Sequence, residues 1–474
     1  MYECQNCGGG LRYDIAAKQL RCSSCDSLFD PYKIGKETDA EENDFYEVNS
    51  FTCPQCGGSI YSMDNTAAGF CSFCGASTIL ESRLNRQVRP TYVIPFTVSK
   101  EDCKKAYAKM MRKAWFAPAD LKDEKKIDGF RGIYMPYWLY NVEQKGDITL
   151  KGETEHRSGD YIIHEHYDLT GHLNSSYRGF SHDASSDFAD SISEGLAPYD
   201  TKQMKEFAPS FLCGFYADAS DVDKRTYQGG MIKKANDETL KFLKQQKAFK
   251  KYGVKTPKDP SNQLHTKCSD TQMAMFPVWF LSYRNGDRVA YATVNGQTGK
   301  VVSDIPIDQR KYLTGTFLLA VPLFLILNLA FTLTPSMLLS VVALLSFVSV
   351  CMHFSEMQQI IRQDQHSDDM GMQNVLKKKE RAKEEEDARK KAEQEEQKKN
   401  SRLAWKESAP AIAGLCLAGL VLFFDPVHDI YYYIAAAVSM CGIYGTIYFL
   451  IKRYNLLSTR KLPQFDNQGG DDNA

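Results

Sequence analysis

Excess charge of either sign is missing from this 474-residue chain: 58 Lys and Arg stand against 59 Asp and Glu, for a formal net charge of -1 and a pI near 6.8. Without an overall basic field, the chain has no sequence-independent pull toward phosphate backbones, so any nucleic-acid contact requires a local patch. Three further absences narrow the possibilities. The start, "MYECQNCGGG", has neither the basic nor the apolar segment of a secretory leader, so the fourteen cysteines are expected to meet a reducing cytosol and not to form a disulfide scaffold. No G-x-S-x-G nucleophile elbow occurs, and "GQTGKVV" at Gly296 lacks the spacing and the hydroxyl residue of a phosphate-binding loop. A non-enzymatic role is the expectation.

What is present begins with cysteine pairs. Cys4, Cys7, Cys22 and Cys25 form two Cys-x-x-Cys knuckles, and Cys53, Cys56, Cys71 and Cys74 form two more, each 49 residues after its counterpart. A knuckle offers two thiolates from one tight turn, and two knuckles complete the tetrahedral ligand set of zinc; Gly8, Gly57 and Gly75 follow directly where the backbone must turn. Scattered reactive thiols would not keep one spacing twice, and a redox Cys-x-x-Cys would be expected beside a βαβ pattern, which is not visible. "GGGLRYDIAAKQLR" and "GGSIYSMDNTAAGF" between the knuckles read as strand, turn, strand. Two zinc ribbons with two Zn²⁺ per chain are therefore predicted, at 1–30 and 51–82, separated by an acidic spacer at 31–50. Residues 1–80 hold five Lys and Arg against eleven Asp and Glu, and four thiolates outweigh one Zn²⁺. Such a surface repels phosphate, which favours protein docking or a structural role over nucleic acid.

Residues 83–311 read as a β-rich α+β cytosolic domain. A helix capped at Ser99 and closed before Pro118 precedes a series of short alternating segments, and a meander ends the domain with a turn at Asn285-Gly286 and a second punctuated by Gly296 and Gly299. The stretches "YMPYWLYNV" around Trp138 and "MFPVWFLSY" around Trp279 suggest a repeated strand, although aromatics filling one core account for them nearly as well. His164 and His166 share a strand face, with His156, His172 and His182 nearby in sequence; a metal site there competes with the simpler reading of solvated histidines. Cys103, Cys213 and Cys268 stand alone, as buried thiols do.

The apolar residues gather in the last third. Leu313 to Phe354 is nearly unbroken and too long for one span, and Thr334-Pro335 divides it into two of about twenty residues, enough to cross ~30 Å of hydrocarbon. A second hairpin follows, giving four spans at 312–354 and 409–452, with a charged helical segment at 355–408 and a disordered tail at 453–474. Within that segment Glu385, Glu386 and Asp387 precede Arg389, Lys390 and Lys391 by four residues, the favourable order for helical pairs. Lys and Arg flank the spans at 310–311, 362–406 and 452–461 and are missing from the turns at Thr334 and Asp425, so both termini and all large segments belong in the cytoplasm of a multi-pass cell-membrane protein.

With these features, "VIPFTVSKEDCKKAY", "GIYMPYWLY" and above all "FPVWFLSY" followed by "VNGQTGKVVSDIP", the chain resembles a bacterial family of TFIIB-type zinc-ribbon membrane proteins, often mislabelled primosomal or helicase-like. The resemblance runs from Cys53 to about Arg310; the charged segment and second hairpin depart from it. It implies that Cys53, Cys56, Cys71 and Cys74 are the family's ribbon ligands, with the N-terminal four as a second copy. It also implies protein partners of the PspA and SPFH (flotillin-like) membrane-stress types, held at the membrane; a homo-oligomer is compatible with it. The helicase label finds no Walker motif to support it.

Overall fold

The computed structural model describes residues 2–34, 45–63, 71–74, 81–286, 288–330, 334–364, 369–379 and 383–461. Its first unit is small: Leu11–Asp14 and Gln19–Cys22 pair antiparallel, and Leu28–Phe29 adds a third strand. Asp14 closes the turn by accepting the Ala16 and Ala17 amides and an ion pair from Arg21 at 2.5 Å. Leu11, Tyr13 and Leu20, on one pleat face, pack toward Phe211, and the Tyr13 amide donates to the Cys213 carbonyl at 3.0 Å.

The second cysteine unit is not separate. Phe45–Thr52 pairs with Ser59–Ser62 on one side and with Glu81–Val88 along all eight residues on the other, within a twelve-stranded sheet. The predicted spacer at 31–50 is thus corrected at its end: Tyr46 and Val48 are buried in a strand, because alternate residues of "FYEVNSF" face the core. The rest of that spacer (35–44), the second half of the predicted ribbon hairpin (64–70) and residues 462–474 of the predicted tail lie outside the described residues. The tail expected to be disordered from 453 is corrected at its start: the helix Ile430–Leu457 runs into it and Arg460–Lys461 pairs as a strand, because these residues bond to the sheet domain.

The centre of the sheet is a hairpin of unusual length, Arg131–Ser158 against Tyr161–Asp183, flanked by Thr266–Asn285. The two aromatic stretches lie side by side here, antiparallel, with Trp138 opposite Met273 and Gly132 opposite Trp279. Period-two alternation sends Tyr134, Met275 and Trp279 to one face, beneath Tyr107 and Phe130, and Tyr137, Phe276 and Phe280 to the other, beneath Phe188 and Leu196. The expected helix is Lys100–Lys113, with the Ser99 hydroxyl accepting the Asp102 amide at 3.1 Å and Cys103, Tyr107 and Met111 buried. At the meander turn Asn285 opposes Arg288, and Gly286 takes a φ of 65°.

Three helices among the described residues are long and apolar enough to cross a membrane: Pro335–Gln363, Gln397–Phe424 and Ile430–Leu457. Four were expected. The first expected span falls on the helix Gln309–Ala330, part of whose side chains, with residues 331–333, are outside the described set. The charged segment is also revised, since Lys383–Phe424 is one continuous helix of 42 residues that carries the charged stretch directly into a span through Pro410. The last two spans touch backbone to backbone: a Cβ on Gly442 would lie 2.7 Å from the Pro410 carbonyl oxygen, and one on Gly414 2.7 Å from Ser439 Cα. At one end of the bundle the Glu407 carboxylate is buried against the Arg453 guanidinium (Nε at 3.0 Å) and His353 Nε2 at 3.3 Å.

The bundle is stitched to the sheet domain at the same end. Asn455 exchanges two hydrogen bonds with the Ile307 backbone, at 2.7 and 2.8 Å, Arg288 donates to Thr459 Oγ1 and the Leu456 carbonyl, and Arg460–Lys461 adds a short strand beside Arg288–Val289.

Candidate metal centres

Each cysteine set converges. In the first, Cys4 Sγ lies 3.6 Å from Cys25 Sγ and Cys7 Sγ 3.4 Å from Cys22 Sγ; in the second, Cys53 to Cys74 is 3.8 Å and Cys56 to Cys71 is 3.7 Å. Disulfides need about 2.05 Å, so none of these pairs is a disulfide. A tetrahedron with Zn–S bonds of ~2.3 Å has sulfur–sulfur edges of ~3.8 Å, close to the observed spacings. Within each set all ligand atoms fall within 4.8 Å of one another, as a single ion requires.

The duplication seen in the sequence extends to backbone geometry. The Cys4 amide donates to the Gly9 carbonyl and the Gly8 amide to the Cys4 carbonyl; 49 residues on, Cys53 donates to Gly58 and Gly57 to Cys53, at 2.7 to 2.9 Å throughout. Gly8 and Gly57 adopt φ of 69° and 77°, the left-handed conformation that lets the knuckle fold back. Asp26 (φ 56°) plays the turning role after Cys25, where no glycine stands.

The environments differ. Cys7 and Cys25 are exposed, whereas all four cysteines of the second set are buried among Phe51, Ile60 and Phe73. Phe73 packs against Phe280, its carbonyl accepts the Tyr291 hydroxyl at 2.9 Å, and Arg284 reaches Gln55 at 2.6 Å, so the second set is mounted on the central sheet. For Cys71 the Cys56 thiol favours ionisation, but Cys74 and burial outweigh it and push the group up to about 12. A thiol so held gives up its proton readily only when a cation takes its place, and four sulfurs at this spacing fit a soft divalent ion.

The histidines predicted to share a strand face do not form a site. His164 Nδ1 meets Glu153 at 3.0 Å and His172 Nδ1 meets Asp147 at 2.9 Å, all on the exposed outer part of the long hairpin, where His156 and His166 are exposed as well. His182 alone is drawn inward, at the hairpin base, where it joins Asp183 and Asp190 in a third buried cluster. Sequence reasoning had only the His182-Asp183 dipeptide as a signal, with Asp190 seven residues on. Among the isolated cysteines, Cys103 and Cys213 are buried as expected and Cys268 is half-buried.

No family model matches the chain, and no solved structure does. It is similar to the uncharacterised protein YdjG of Bacillus subtilis (strain 168), with 28% identity over 316 residues, covering 65% of this chain and 91% of that protein.

Proposed function

We propose that this protein is a non-enzymatic, membrane-anchored zinc-ribbon adaptor that presents an acidic cytoplasmic surface to a protein partner. The observation that carries this reading is charge: the first eighty positions of the sequence hold five basic against eleven acidic residues alongside the eight cysteines of the two clusters. Rigidity supports it, because the second cluster is built into the main sheet and the sheet is bonded to the membrane bundle. Zn²⁺ is the ion assigned to both clusters, from sulfur spacing and ligand softness.

Four crossings, including Gln309–Ala330, and cytoplasmic termini belong to the same reading. The chain leaves the sheet domain at Ile307 and returns to it at Asn455, and Met370, after the helix Pro335–Asp364, also contacts the domain. A chain that enters and leaves a bilayer on one face crosses an even number of times. The partners implied by family resemblance are PspA-type and flotillin-like SPFH proteins. The test is co-purification of the full-length protein from native membranes with tagged candidates of these two types. Recovery that falls at least tenfold with Cys53→Ser/Cys56→Ser supports the proposal. Undiminished recovery, or salt-sensitive retention of the full-length protein on DNA, overturns it.

A further inference from the structure

The cluster His182, Asp183 and Asp190 has no place in the adaptor reading. Asp183 is completely buried at the end of the long hairpin, and His182 and Asp190 are nearly so. A cluster of this kind is ordinarily neutralised by hydrogen bonds, yet among the described residues neither carboxylate oxygen of Asp183 receives a hydrogen bond of good geometry, nor does His182 Nδ1 make one. Nδ1 and Asp183 Oδ1 nevertheless approach to 2.9 Å. An imidazole nitrogen and a carboxylate oxygen held this close and away from water need positive charge between them, either a proton on Nδ1 that makes the contact an ion pair or a bound cation.

We propose that His182, Asp183 and Asp190 bind a divalent first-row transition ion, a third metal site distinct in chemistry from the two cysteine sets. Adjacent ligands on an octahedral ion with bonds of ~2.1 Å are ~3.0 Å apart and opposite ones ~4.2 Å. The observed Nδ1 to Oδ1 separation of 2.9 Å is close to that edge, and all three donors lie within 4.8 Å of one another, near enough for side-chain adjustment to close them onto one ion. One imidazole and two carboxylates suit Mn²⁺, Fe²⁺ or Zn²⁺, whereas thiolate sets take the softer ions and reject Mn²⁺.

Surrounding contacts orient the ligands. The His182 ring stacks on Tyr227 at 3.6 Å, and the Tyr227 hydroxyl donates to Asp190 Oδ1 at 2.7 Å. Asp190 Oδ2 accepts the backbone amide of Met370 at 2.9 Å, from the segment that follows the helix Pro335–Asp364. An ion here ties the hairpin base to the chain leaving the membrane bundle.

Mn²⁺ itself is the probe, titrated by electron paramagnetic resonance into the full-length protein in detergent after elemental analysis has confirmed two zinc ions per chain. The expected result is one saturable Mn²⁺ per chain, with affinity lowered at least ~10-fold by Asp183→Asn and by Asp190→Asn. Cys53→Ser/Cys56→Ser retains the Mn²⁺ while losing a zinc ion, which separates this site from the ribbon assignment. Wild-type protein with filled ribbons that takes up no saturable Mn²⁺ overturns the proposal, whatever the folding of the variants. So does Mn²⁺ binding that is unchanged by both substitutions in protein still holding two zinc ions.

Discussion

Chelation should remove the two zinc ions proposed for the cysteine sets at different rates, and the structure sets the size of the gap. The first cysteine set has two exposed ligands, Cys7 and Cys25, that a chelator can reach directly. The second set has none, and reaching it requires lifting its cover, of which Phe73 is the central piece: it is 2% exposed, packed on Phe280 and bonded through its carbonyl to Tyr291. Exposing one phenylalanine side chain costs ~1.5–3 kcal/mol. At 1.4 kcal/mol per tenfold, a cost of about 2 kcal/mol slows access by roughly 30-fold. The assay is absorbance of an excess chelating dye mixed with the purified full-length protein. Two phases of equal amplitude are expected, separated by that factor. Cys7→Ser should abolish the fast phase and Cys56→Ser the slow one, and Phe73→Ala should accelerate the slow phase alone. A single phase, or a slow phase indifferent to Phe73→Ala, would refute the argument that burial on the central sheet protects the second ion.

Two other outcomes follow from buried charge. Arg453→Met leaves the Glu407 carboxylate buried without its guanidinium partner and should lower stability in micelles by ~3–5 kcal/mol, while Glu407→Gln/Arg453→Met should recover most of the loss; thermal unfolding of the two variants beside the wild type measures both. Asp218, buried and accepting from the Ser185 hydroxyl and the Ala219 amide, is raised by burial and by Asp221 to about 7. Between pH ~4 and ~7 the folded protein then holds a proton that the unfolded chain has released, so this group's stabilising contribution is complete below ~4, is lost as pH rises to ~7 and changes no further above it. Asp218→Asn should flatten that decline and raise the melting temperature at pH 8; an unchanged pH profile would show that Asp218 does not hold the proton.

The features legible in the sequence are those whose physics is local. A zinc knuckle closes within four residues, so the spacing of Cys4, Cys7, Cys22 and Cys25, repeated at Cys53, Cys56, Cys71 and Cys74, already specifies both clusters. Bilayer crossing depends on the length of an apolar run, and Asn285-Gly286 or Ser99 act through their own backbone neighbours. What the tertiary structure decided was everything that depends on which distant segments meet. The spacer became a sheet strand because Phe45–Thr52 finds Glu81–Val88 on one edge and Ser59–Ser62 on the other. The charged rod and the apolar helix that ends at Phe424 became one, since nothing between Lys383 and Phe424 breaks the helical hydrogen bonds but Pro410, which the helix accommodates.

Of five clustered histidines, only His182 was carried into the interior, because it sits where the hairpin base meets Asp190 and the Met370 amide. Glu407 and Arg453, 46 residues apart, pair only because backbone contact at Gly414 and Gly442 brings their helices together. A charge or an imidazole carries no mark in the sequence of whether it will face water or a partner: its desolvation is set by long-range packing, and that is where the uses of these residues were assigned.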